Sequence, residues 1–111
     1  MLPLVFTLVC GQAVQDEYLL CDYYKGSDWR FKHTQDELVD LVTGISFKFI
    51  KEDESGYRYF EKRRYSEDGS DNGFTKYKYH PAFRDIEQKI KIGIYGDEAD
   101  LVISGQCRKA N

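Results

Sequence analysis

The chain has 111 residues, with 16 basic and 19 acidic side chains, a net charge of −3, and 15% aromatic content led by nine Tyr and seven Phe. That length sets a single domain, and the negative balance argues against general nucleic-acid binding, which uses a strongly basic face. No stretch approaches the roughly 20 apolar residues of a membrane-spanning helix, while abundant Tyr and Phe favour half-buried sheet faces and so a β class.

Met1 to Cys10 is almost wholly apolar, and no charge appears before Asp16. Gly11-Gln12-Ala13 supplies small residues at the −3 and −1 positions of a cleavage site after Ala13. Residues 1–13 are therefore expected to be a signal peptide, truncated at its start because the basic first region is missing. Residues 14–111 are then one β domain, exported to the periplasm or the medium. The alternative is an N-terminal buried strand. Cys10 leaves with a signal peptide, and Cys21 and Cys107 remain near the two ends of the mature chain. In an exported protein such a pair suggests a disulfide; in a cytosolic one it would be two buried thiols.

Tyr18 to Tyr24 reads as a first strand, Lys25 to Asp28 as a turn and Trp29 to Lys32 as a second strand. Trp29 and Phe31 share a face there. Thr34 followed by Glu37 is a capping box, and Leu38, Val39, Leu41 and Val42 recur at helical spacing before Gly44. The pattern predicts one short helix over about 35–43, with a strand through Leu38–Thr43 as the competing reading. Ile45, Phe47 and Phe49 alternate with polar residues, as a strand requires. Glu52 to Gly56 is a polar turn, and Tyr57 to Tyr65 is the next strand. Ser66 to Gly73 is another turn, followed by the alternation of Thr75, Tyr77 and Tyr79. His80-Pro81 ends it, because Pro cannot donate to a central ladder.

The clearest hairpin is the last. Ile86, Gln88, Ile90, Ile92 and Ile94 fall on one parity, and Glu87, Lys89 and Lys91 on the other. An extended chain puts those isoleucines on one face. Tyr95 to Glu98 breaks the run, and Leu101 to Ile103 resumes it before Cys107. About seven short strands and one helix predict an all-β fold, a small antiparallel barrel or sandwich.

Chemistry-bearing motifs are few. Asp68, Ser70, Asn72 and Gly73 match the front of a calcium loop, but the required bidentate Glu is replaced by Tyr79, so an acidic turn is expected and no metal. Arg58, Lys62, Arg63, Arg64, Lys76 and Lys78 interleave with tyrosines, a pattern that can serve single-stranded nucleic acid. Here it reads better as a solvated face whose lysine stems cover aromatic rings. His33 and His80 sit in no catalytic motif and read as ordinary surface or loop histidines. Nothing marks an enzyme or a cofactor site.

Ser55-Gly56-Tyr57-Arg58-Tyr59 resembles the Ser-Gly-x-x-Tyr signature of the bacterial c-type lysozyme inhibitors, which are exported antiparallel β-barrels. Gly96-Asp97-Glu98-Ala99 is similar to that family's second motif, and Cys107 follows it. The resemblance implies a binding site at Ser55, Gly56, Tyr57, Arg58 and Tyr59, with Ser55 inserted into the cleft of a host hydrolase. The family's lysine before the second motif is Tyr95 here, which leaves Arg58, or failing it Lys91, as the replacement cation. The Gly105-Gln106-Cys107 ending also resembles other small exported β proteins of bacteria. Two further readings stay open: an envelope-associated structural module, and a calycin-like barrel holding a small apolar ligand. Oligomeric state is not readable.

Overall fold

In the computed structural model the described residues are 14–22, 28–93 and 99–110. The segment expected to be a signal peptide, Tyr23 and Tyr24 of the expected first strand, most of the Lys25 to Asp28 turn and most of Tyr95 to Ala99 lie outside them. The strands are β1 (Glu17–Asp22), β2 (Asp28–His33), β3 (Glu37–Asp40), β4 (Ser46–Glu52), β5 (Arg58–Tyr65), β6 (Asp71–Tyr79), β7 (Asp85–Ile92) and β8 (Leu101–Lys109). Each pairs antiparallel with the next, and β1 pairs with β8 to close an eight-stranded barrel. Among the described residues no helix is long and apolar enough to cross a membrane.

The barrel is the consequence of alternation. Leu19, Phe31, Leu38, Phe47, Phe60, Tyr77 and Ile86 all point inward and are buried. Tyr77 sits edge-on to Phe31 and Phe47, with ring centroids at 5.2 and 4.8 Å, a geometry favoured by the ring quadrupoles. These side chains fill the middle of the barrel. Cys21 and Cys107 stand directly opposite each other across the β1–β8 seam and form a disulfide.

The expected helix over about 35–43 is replaced by β3 and a turn. The capping signal is used all the same: Thr34 Oγ1 accepts from the Asp36 and Glu37 amides at 3.3 and 3.2 Å. Beyond it the chain runs extended because β2 and β4 flank it and supply ladder partners to Leu38. Only Leu38 of the apolar stripe reaches the core, while Leu41 and Val42 are exposed. Asp40 ends the strand by accepting from the Val42 and Thr43 amides. Gly44 has a positive φ, as a helix stop would, but closes a single turn onto the Asp40 carbonyl.

The isoleucine face of β7 is also cut short. Ile86 is buried, Gln88 and Ile90 are half-buried, and Ile92 is 72% exposed. Among the described residues β1 meets β8 between Leu19↔Lys109 and Asp22↔Gln106.

One end of the interior is polar. His33 is fully buried, and Nδ1 lies 2.9 Å from Glu17 Oε2. Glu17 also accepts from Arg84 Nη1 at 2.9 Å and Tyr79 Oη at 3.3 Å. Burial pulls the His33 imidazole below its ordinary pKa, and the Glu17 hydrogen bond only partly restores it. The expectation of a surface or loop histidine fails here because β2 parity turns residue 33 inward.

Candidate functional site

The Glu52 to Gly56 turn lies at this same polar end. Asp53 organises it. Its Oδ1 accepts from the Ser55 and Tyr57 amides, each at 3.0 Å, and its Oδ2 accepts from Tyr59 Oη at 2.8 Å. This is the turn chemistry in which a short carboxylate replaces a backbone acceptor. The Tyr59 hydroxyl, followed by these amides, holds the Asp53 carboxyl below the usual range. Gly56 has φ 92°, and its amide returns to the Asp53 carbonyl at 3.0 Å. Ser55 is exposed at the tip.

A second loop braces the first. His80, 7% exposed, accepts at Nδ1 from the Ala82 and Phe83 amides, both at 3.1 Å. Those two donors place its proton on Nε2, which donates to the Ser55 carbonyl at 2.8 Å. The imidazole stacks on Phe83 with centroids 4.1 Å apart and meets the Tyr57 ring edge-on at 4.8 Å. Arg84 adopts φ 61° to close the loop, and its amide donates to the His80 carbonyl at 2.6 Å. His80 is thus a clamp between two loops, not an ordinary loop histidine.

A Cβ on Gly56 would stand 3.0 Å from His80 Nε2. Gly56→Ala is therefore expected to lose about 1–3 kcal/mol from the positive φ alone, and to displace the imidazole. Urea unfolding reads the first effect and the His80 ring resonances the second. Wild-type stability with unmoved resonances would contradict both.

The five predicted binding residues do not form one surface. Ser55 is at the tip, Gly56 supports it, and Tyr57 and Tyr59 lie on the outer face. Arg58 alternates inward and is 2% exposed. Its guanidinium lies over the Phe49 ring at 4.3 Å and donates through Nη2 to the Gln35 carbonyl at 2.6 Å. It closes the barrel end and cannot reach a partner as the replacement cation. Lys91 is at the opposite end of β7, paired with Asp100 at 3.3 Å.

Comparison with protein-family models, curated proteins and solved structures finds no match.

The outer face beside the turn carries the cations instead. Lys78 Nζ lies 4.5 Å from the Tyr57 centroid, and Lys51 Nζ lies 5.0 Å from that of Tyr59. Lys51 reaches that position because a bulge between Phe49 and Lys51 adds Ile50 to β4. Unbroken alternation from Phe47 and Phe49 would have sent Lys51 inward. A groove of about 620 Å3 runs along this face past Tyr59, Phe74, Lys76 and Lys89. Lys76 pairs with Glu61 at 3.6 Å and Lys89 with Glu87 at 3.7 Å, so much of the basic pattern is neutralised locally. Lysines covering aromatic rings were expected of this pattern, and they occur. The Asp68 loop is an ordinary turn, Oδ1 accepting from the Ser70 amide and hydroxyl.

Proposed function

We propose that this is an exported binding protein that engages a protein partner through the Ser55 turn. A host hydrolase of the c-type lysozyme class is the candidate partner. The observation that carries the reading is the exposed Ser55 tip, fixed on one side by Asp53 and on the other by His80. A tip already ordered in the free protein loses little conformational entropy on docking. The filled middle of the barrel favours docking over the calycin-like alternative, since an internal ligand needs a cavity of several hundred Å3. The lysozyme assignment rests on the Ser-Gly-x-x-Tyr resemblance, and the inward turn of Arg58 removes the cation that would have supported it.

The test is hydrolysis of a cell-wall suspension by a c-type lysozyme with added protein. Inhibition by the wild type at micromolar concentration supports the reading, and its absence ends the lysozyme assignment. Ser55→Ala is expected to change folding stability by no more than about 0.5 kcal/mol, as an exposed turn hydroxyl does. Inhibition should weaken by about 1–3 kcal/mol if the hydroxyl is desolvated in the complex.

A further inference from the structure

We infer that the docking element is the clamped pair of loops, with Phe83 as its anchor and a basic protein surface as its occupant. This rests on the reading that the Ser55 end of the barrel engages a protein. Phe83 is 64% exposed, yet its ring lies flat on the buried His80 imidazole, 19° from parallel. The same imidazole holds the Ser55 carbonyl at 2.8 Å. Ser55 and Phe83 therefore share one rigid support, although 28 positions separate them in sequence from Ser55 to Phe83.

An exposed aromatic ring held in one orientation has the properties of an interface anchor. It offers a large apolar area and little rotamer freedom to lose. The Ser55 turn held on the same imidazole supplies the charge. Glu52, Asp53 and Glu54 run consecutively along the leading edge of the turn, with Glu52 and Glu54 exposed. Asp53 is engaged within the turn, and Arg58, 4.0 Å from Glu52, is buried behind it. Lys51 and Lys78 lie back along the outer face over tyrosine rings. The edge that meets a partner is acidic, as is the chain with its net charge of −3. Charge complementarity then calls for lysine and arginine around an apolar slot that accepts the Phe83 ring.

The experiment titrates the oxidised chain with a basic c-type lysozyme, at low and at physiological ionic strength, by calorimetry. F83A should weaken binding about tenfold or more, as loss of an aromatic anchor does. E54K should weaken it several-fold at low salt, with the difference shrinking as salt screens the pair. F83L keeps apolar volume without the flat ring and should fall between wild type and F83A. Thermal melts of all variants should match wild type, and F83L carries the test should F83A unfold. Wild-type affinity in F83A alongside weakened S55A overturns the inference and leaves the inhibitor reading standing. Weakened F83A alongside unchanged S55A supports the inference and ends the Ser55 role. No binding by the wild type overturns both.

Discussion

Glu17→Ala is expected to destabilise the protein by about 3–5 kcal/mol, the cost of removing one member of a buried charged cluster. The Glu17 side chain is 9% exposed, and it accepts from His33, Tyr79 and Arg84. Alanine leaves all three donors at the barrel end without that acceptor. For a domain of this size, such a loss lowers Tm by on the order of 15 °C or more. Urea unfolding and thermal melts measure it, and a loss below about 1 kcal/mol would show that water satisfies the cluster.

The same cluster sets a pH dependence whose sign follows from burial. The folded-state pKa of His33 lies below its ordinary value, with desolvation the largest cause. As pH falls through about 6.5, the unfolded chain binds a proton before the folded one does. The stability that His33 contributes is therefore complete above that pH and declines below it. Glu17 contacts raise the His33 pKa, so their removal should widen the acid-sensitive range. Denaturant midpoints across that interval would show this as a steeper fall in Glu17→Ala than in wild type. His33→Gln should flatten the profile.

The second large effect is at the seam. Reduction of Cys21–Cys107, or the Cys21→Ala/Cys107→Ala pair, should cost about 4.5 kcal/mol by the loop-entropy account for a sequence separation of 86. Typical domain stabilities are only about 5–15 kcal/mol, so this removes a large share of the total. The location sharpens the expectation. Among the described residues β1 and β8 share four residue pairs, against seven between β6 and β7. Amide exchange in the bond-free protein should accelerate first in β1 and in the Gln106–Lys109 part of β8. Thiol titration without reductant should find neither cysteine free in the native protein. Uniform exchange, or an unchanged denaturation midpoint on reduction, would contradict a seam held by this bond.

Much of the architecture was legible in the chain because period-two alternation is a local signal. Phe47 and Phe49, Thr75 to Tyr79, and Ile86 with its neighbours announced strands, and the two end cysteines announced their closure. Gly56 and the acidic residues before it announced a polar turn, for reasons contained within five residues. What the chain alone could not settle depended on partners distant in sequence. Thr34 and Glu37 carry a helix start, yet β2 and β4 offer Leu38 two ladders, and the segment becomes β3. Arg58 stands beside tyrosines in a motif that suggested a contact surface; the parity of β5 sends it under the Thr34–Asp36 turn instead. One bulge at Ile50 turns Lys51 outward against the alternation around it. His80 and Ser55 lie 25 positions apart, and nothing local links them. The antiparallel pairing of β5 with β6, Arg58 opposite Tyr79, brings the β4–β5 and β6–β7 turns side by side at one end, where a buried imidazole can hold two loops as a single surface.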